Sequence, residues 1–367
     1  MKNNCTLLID GNWLLISRMS TMRDKFNKNQ YSLDEIKNHS YILMDLLAQS
    51  VNHYINMIHP IDNIIYVQDG GSWRKNIEKP LLADTYKGNR EYLEDETDWK
   101  SIWQAQDDFV ASLKQNGITC VKEHDIEGDD WIAHWSVKLN NENINTLILS
   151  TDKDLQQLVN YNRDHNTWTA WYNTKNLVLH KDLNNNNIDM VDFFLRFDEE
   201  DLILNELKNT IIGLGQTIEY IDPENIVISK ILCGDRSDNI NPVIHIKKGS
   251  RHVNVTARDI SNILENYNIE QMLNERDTIL HVLSGLKKFA NVHLELSDLS
   301  KVFDYNKQLV WLNESGYPDE IKHKLSLHDN EYSVVDMEYI KNNYKVLLGE
   351  YNDHAERNAL LELYNQL

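Results

Sequence analysis

With 367 residues, 41% of them hydrophobic, and a formal charge of −20, the chain can bury one large core or two ordinary ones, which excludes a disordered protein. No apolar run reaches membrane-span length, and Met1-Lys2-Asn3-Asn4 leads into a strand-like run, not a secretory leader, so a cytoplasmic protein without membrane association is expected. Cys5, Cys120 and Cys233 are odd in number, far apart and outside any C-x-x-C spacing, which argues against a disulfide framework and a thiolate zinc site.

Thr6-Leu7-Leu8-Ile9 reads as a buried strand stopped at Asp10-Gly11, with a helix beginning over Trp13 to Met19. Ile36, Ile42, Leu43, Leu46, Leu47, Val51, Tyr54 and Ile55 recur at helical spacing and predict a long amphipathic helix over 34–58, closed near Pro60. Asn63 to Gln68 is a second strand, ending at Asp69-Gly70-Gly71.

Asp125, Glu127, Asp129 and Asp130 then crowd four carboxylates into six positions at the start of a helix over 127–138. Ile126, Asp130, Ala133 and Val137 fall on one inward stripe of that helix, so Asp130 is expected on an apolar face. A carboxylate there needs hydrogen bonds or a cation, because an unpaired buried charge costs several kcal/mol. No Lys or Arg lies between Lys122 and Lys138, and a divalent metal is the natural partner. A third strand, Thr146 to Ser150, ends at Thr151-Asp152-Lys153-Asp154, ahead of the helical Leu155 to Leu158.

Strands alternating with helices predict an α/β fold with a mostly parallel central sheet flanked by helices. Ligands of such sheets lie beyond the carboxyl ends of the strands. Asp10, Asp69 and Asp152 stand at those three ends. Any one of them is explained as a turn former or helix cap. Three together, with the acidic helix between the second and third strands, describe an anionic pocket that requires metal. Oxygen donors without clustered His or Cys select Mg²⁺, with Mn²⁺ a possible substitute, and phosphodiester hydrolysis is the natural reaction.

The acidic total does not exclude a polyanion as partner. Arg74, Lys75, Lys79, Lys87 and Arg90 face only Glu78 and Asp84 between Gly70 and Arg90, and Lys247, Lys248, Arg251 and Arg258 lie in a stretch, between Asp238 and Asp259, free of acids. After Asn176 the sheet pattern fades: Asn184 to Asn187 is a low-complexity loop, and Leu202 to Leu214 and Ile226 to Leu232 read as helices. The tail, Leu360 to Leu367, carries a Leu/Tyr helical stripe of the kind that packs in cores more often than it docks elsewhere.

Asp10, Asp69, Glu127-Gly128-Asp129-Asp130, Asp152-x-Asp154 and Gly234-Asp235-Arg236-Ser237-Asp238-Asn239 stand in the order and spacing of the 5′-nuclease, or flap endonuclease, family, which the chain resembles over about 5–330. Within it the sequence looks most like the phage ribonuclease H of flap-nuclease type. The resemblance implies a PIN-like 5′-nuclease fold, with an α/β nuclease domain over 1–200 and a helical C-terminal region over 201–367 that contains a helix-turn-helix-like duplex-binding element at about 226–265. It implies two Mg²⁺ ions: Asp10, Asp69, Glu127, Asp129 and Asp130 around the first, Asp152 and Asp154 between sites, and Asp235 and Asp238 at the second.

Tyr86-Lys87-Gly88-Asn89-Arg90 matches the family's gateway, with Lys87 and Arg90 on the scissile phosphate, Tyr86 as a stacking face, and Glu91 to Trp103 in an arch at about 86–110. Lys247, Lys248 and Arg251 are expected on duplex DNA, although the family's Gly-rich hairpin is reduced here to one glycine, Gly249. The implied substrates are DNA and RNA:DNA hybrids with a 5′ end or flap, in primer removal. The implied partners are a single-strand-binding protein and a sliding clamp around a monomeric enzyme. The alternatives are a catalytically silent branched-DNA-binding protein and a PIN-type ribonuclease. An aspartyl phosphatase is disfavoured, because position 12 is Asn12 where that chemistry needs an aspartate.

Overall fold

The computed structural model describes residues 4–29, 39–58, 61–88, 99–184, 202–290, 292–353 and 355–366. The chain divides into two units, the first made of 1–71, 94–221 and 323–367 and the second of 72–93 and 222–322.

The first unit is organised on strands β1 (Cys5–Asp10), β2 (Asn63–Val67), β3 (Thr119–Val121), β4 (Asn145–Leu149), β5 (Asn160–Asn162), β6 (Thr167–Tyr172), β7 (Asn176–His180) and β8 (Thr217–Ile221). They lie in the order β3-β2-β1-β4-β6-β7-β8, with β5 paired to β6. The first five of that order are mutually parallel, β7 is antiparallel to β6, and β8 is parallel to β7. The expected α/β class with a mainly parallel sheet is therefore present. The sheet does not fade after Asn176, however. β7 and β8 were missed because four- to six-residue strands with polar ends, such as Thr217-Ile218-Glu219-Tyr220-Ile221, carry little periodicity of their own.

β1 and β2 are buried on both faces, as central parallel strands must be. Leu7, Ile9, Ile64, Tyr66, Leu147 and Leu149 join one core with α1 (Gly11–Lys28), α2 (His39–Met57) and α3 (Trp99–Gln115). The alternate positions are covered by α4 (Gly128–Asn141), which packs on β1, β4 and β6 and buries Trp131 and Trp135, one turn apart, completely. Each such side chain removed from water contributes about 2–3 kcal/mol before entropy is counted. Val137, assigned to the inward stripe of α4, is 57% exposed, because burial follows the Trp131-Trp135-Leu139 row instead.

α5 (Leu202–Gly213) precedes β8, and α2 begins at His39, so Ile36 and the loop positions 185–187 lie outside the described residues. The tail returns to this unit as α13 (Ala355–Gln366), where the Tyr364 ring meets Phe26 edge-on at 5.6 Å, so Tyr364 of that stripe is core. β8, beyond residue 200, belongs to the sheet of the first unit.

The second unit has its own core around Val227, Ile231, Ile244, Leu280 and Phe303. It contains α6 (Pro223–Cys233), an antiparallel hairpin of β9 (His245–Lys248) and β10 (Arg251–Asn254), and helices α7 (Ser261–Asn266), α8 (Ile269–Asn274), α9 (Arg276–Ser284) and α10 (Leu296–Val310). Between α6 and α7 the chain therefore forms a turn and a β-ribbon, not a bare helix-turn-helix. α11 (Asp319–Ser326) begins in this unit, and its last residues belong to the first, as does α12 (Met337–Asn342). No helix among the described residues is long and apolar enough to cross a membrane.

Candidate active site

Strand order reverses between β1 and β4: successive strands step one way from β1 and the other way from β4. At such a switch point the two connections leave on opposite faces and a crevice opens at the strands' carboxyl ends. Asp10 ends β1, Asp152 follows β4, and Asp69 lies two residues beyond β2. The topology thus supplies the place, and the strand ends supply the carboxylates.

Each of these acids is fixed by its own local structure. Asp10 caps α1, its Oδ1 accepting the Trp13 N–H at 2.9 Å, while its Oδ2 accepts the Ser150 hydroxyl at 2.8 Å. Ser150, fully buried, also receives the Asp152 N–H at 3.0 Å, so one hydroxyl ties the ends of β1 and β4 together. Asp69 accepts the Asn12 amide at 2.7 Å and the Gly128 backbone N–H at the start of α4. A Cβ on Gly128 would stand 2.9 Å from Asp69 Oδ1, so a larger residue there would push the Asp69 carboxylate aside. Asn12 is in turn reached by Gln106 of α3. Ser150 and Gln106 escaped the sequence reading as site residues, and Asn12 entered it only as evidence against a phosphatase, because uncharged polar residues carry no signal unless their contacts are known.

The charges confirm that these groups share one neighbourhood. Asp129 is raised well above the ordinary carboxylate value, first by burial, then by Asp152, Glu127, Asp10 and Asp69. Asp10 is pushed up to about 6 by burial, with Asp69 and Asp152 adding to it against the hydrogen bonds from Trp13 and Ser150. No cation ranks among the principal groups acting on either acid. Among the described residues no three His, Cys, Asp or Glu side chains close into a ligand cage unaided. The donor chemistry of this all-oxygen, mutually repelling set is that of a hard divalent ion.

Asp130 stands apart from this group. It is fully buried, as expected, but its Oδ2 accepts the Glu127 N–H at 3.3 Å, and it is not among the acids raising Asp129. Its burial is answered inside the first turn of α4, where a carboxylate is also favoured by the helix dipole, so no metal is needed to explain it. Asp154 donates its backbone N–H to Asp152 Oδ1 at 2.8 Å, and its carboxyl is not among the principal groups acting on Asp10 or Asp129.

The remaining expected residues belong to the second unit. Gly234-Asp235-Arg236-Ser237-Asp238-Asn239 forms a tight turn closed by the Asp235–Ile240 bridge. Gly234 has φ +71°, and a Cβ there would lie 2.2 Å from the Ile240 carbonyl oxygen, so this turn requires glycine. Asp235 is bound by the Lys230 ammonium and by the hydroxyl and, at 2.8 Å, the N–H of Ser237. Burial would raise its carboxyl, yet these partners together hold it below the ordinary value.

The gateway segment meets this turn: the Lys87 N–H donates to the Asp238 carbonyl at 2.7 Å and the Asn239 amide to the Thr85 carbonyl at 3.0 Å. Lys87 sits in a turn at φ +53°, not in a helix, and Arg90 lies outside the described residues. Tyr86 is 6% exposed and packs in the core with the Lys87 ammonium 4.8 Å from its ring, so it offers no open stacking face. Of the expected arch, 91–98 lie outside the described residues, while Trp99 and Trp103, stacked at 6.0 Å, open α3 and thus a core helix of the first unit. Lys247, Lys248 and Arg251 sit on the β9–β10 ribbon, with the Lys248 ammonium donating to the Lys288 carbonyl at 2.7 Å.

The family model described as 5′-3′ exonuclease, N-terminal resolvase-like domain, matches residues 5–187. Through this domain the chain belongs to the 5′-nuclease family. The matched span takes in every carboxylate that surrounds Asp129. Among solved structures, the chain is similar to the bacteriophage T5 5′-exonuclease with zinc bound, at 14% identity and TM-score 0.41 over 98% of this chain and 100% of that one. It is also similar to the bacteriophage T5 flap endonuclease in a pseudo-enzyme-product complex with DNA and metal ions, at 16% identity and TM-score 0.42 over 99% and 100%. Likeness at that level transfers no residue role to this 5′-nuclease domain. No curated protein sequence matches the chain.

Proposed function

We propose that this 5′-nuclease is a Mg²⁺-dependent enzyme that hydrolyses phosphodiesters at 5′ ends, overhangs and flaps of DNA and of RNA:DNA hybrids, and so removes primers during replication. The observation that carries this reading is the array of Asp10, Asp69, Glu127, Asp129 and Asp152 at the carboxyl ends of β1, β2 and β4, where burial and mutual repulsion hold Asp10 and Asp129 up. A divalent ion bound there supplies Lewis-acid stabilisation of phosphate oxygens and an acidified water. The chain's own part is to hold the array: Ser150 and Asn12 orient Asp10 and Asp69, and the start of α4 presents Glu127 and Asp129.

A second ion is not assigned to Asp235 and Asp238, because Asp235 already has Lys230 as its cation. Lys87, held in its turn by Asp238, and the exposed Lys247 and Arg251 are proposed as phosphate contacts, which lets a body of charge −20 seat a polyanion locally. The proposed location is the cytoplasm, and the proposed working form is a monomer.

Purified protein incubated with 5′-labelled flap, nicked-duplex and RNA:DNA substrates, with and without Mg²⁺, tests this directly. Products should carry 5′-phosphates, appear only with the divalent ion, and vanish with Asp152→Asn while DNA binding persists. Full turnover by Asp152→Asn, or cleavage in excess chelator, sinks the proposal.

A further inference from the structure

One face of the β9–β10 ribbon carries a pair of imidazoles to which no role has been given. Register sets His245 opposite Asn254 and Lys247 opposite His252. Opposed residues and residues two apart point to the same side of a sheet, so these four share a face. His252 Nδ1 lies 3.0 Å from His245 Nε2, with ring centroids 4.8 Å apart and the planes 35° from parallel. Two neutral imidazoles in that arrangement share one proton, one nitrogen donating and the other accepting. His245 Nδ1 and Asn254 Oδ1, which belong to register partners, are both buried without a hydrogen-bond partner.

We propose that His245 Nε2 and His252 Nδ1 form a bidentate site for a borderline divalent ion of the Cu²⁺, Ni²⁺ or Zn²⁺ class. Two metal–imidazole bonds of about 2.0–2.1 Å at a tetrahedral angle span roughly 3.3 Å, so the ion replaces the shared proton with a shift of a few tenths of an ångström. Binding through Nε2 leaves the proton of His245 on Nδ1, where it needs an acceptor. Asn254 Oδ1, on the register partner, is the acceptor assigned to it once the two side chains turn toward each other. Water fills the remaining positions. Lys247 is the opposing influence on this face, but it is exposed, and its long stem lets the ammonium turn to solvent. Imidazole donors select against Mg²⁺ and Mn²⁺, which separates this site chemically from the carboxylate array.

The test uses the full chain in excess Mg²⁺, titrated with Cu²⁺ and read by electron paramagnetic resonance, with Zn²⁺ followed by calorimetry. One Cu²⁺ per chain with nitrogen couplings from two imidazoles is expected. Affinity should fall at least about tenfold in both His252→Ala and His252→Gln, with circular dichroism confirming that each folds. Asn254→Ala should weaken binding about tenfold while keeping the two-imidazole signature. An unchanged spectrum in either His252 variant, or only oxygen-coordinated Cu²⁺ in the unmodified chain, overturns the proposal.

Discussion

Asp10 and Asp129 in the first unit and Asp235 in the second are all partly buried aspartates that the sequence nominates as metal ligands, yet their electrostatics are opposite. Burial and neighbouring acids push Asp10 and Asp129 up, whereas Lys230 and Ser237 overcome burial and hold Asp235 down. In the first corner no cation ranks among the principal groups acting on Asp10 or Asp129. The second carries its counter-ion in the chain, four positions before the turn, on α6. A carboxylate motif therefore marks a place where positive charge is needed, and only the surroundings say whether a metal or a lysine meets the need.

The largest expected effect breaks the first corner. Asp129→Asn should lower cleavage about 100- to 1000-fold with little change in melting temperature, because it removes a ligand and also relieves repulsion. Steady-state kinetics beside a melting curve check both halves. Gly128→Ala should act in the same direction, since its Cβ would press on Asp69, and a raised Mg²⁺ requirement would show it.

Next comes the second corner. Lys230→Met leaves a largely buried carboxylate without its cation and should cost about 2 kcal/mol at pH 7, read by denaturant melts. Because Asp235 has a depressed folded pKa, its stabilisation is present above the unfolded value of 3.8 and is lost as pH falls through the folded value. The gap between the unmodified chain and Lys230→Met should therefore close on acidification below pH about 4. A gap independent of pH would mean that Lys230 acts by packing alone.

Smaller, and opposite in sign, is Asp10→Asn. Asp10 has a folded value of about 6 against 3.8 unfolded, so its ionisation opposes folding increasingly as pH rises through that window. Without divalent ions the variant should be more stable than the unmodified chain by about 1–2 kcal/mol above pH 6, and no more stable below pH 4. Added Mg²⁺ should raise the melting temperature of the unmodified chain more than that of the variant. The least effect is expected for Ser237→Ala, about 1 kcal/mol, because the hydroxyl bond to Asp235 is lost while the backbone N–H bond remains.

The sequence by itself determined the parallel strands β1, β2 and β4, because each is a short apolar run cut off by an aspartate, and it determined which acids sit at their ends. Periodicity also placed α4 and the buried Asp130, since both depend only on neighbours within a helical turn. Tertiary structure decided the rest. It showed that Asp130 is spent on Glu127, that Tyr86 is core, and that Lys230 neutralises Asp235. Ser150, Asn12 and Gly128 hold the site through contacts that cross 57 to 140 positions, and a hydrogen bond over such a separation leaves no trace in local spacing. Charge is the physical reason for the divide: a residue's type states that it is ionisable, but only its distance from other charges and from water states what it does.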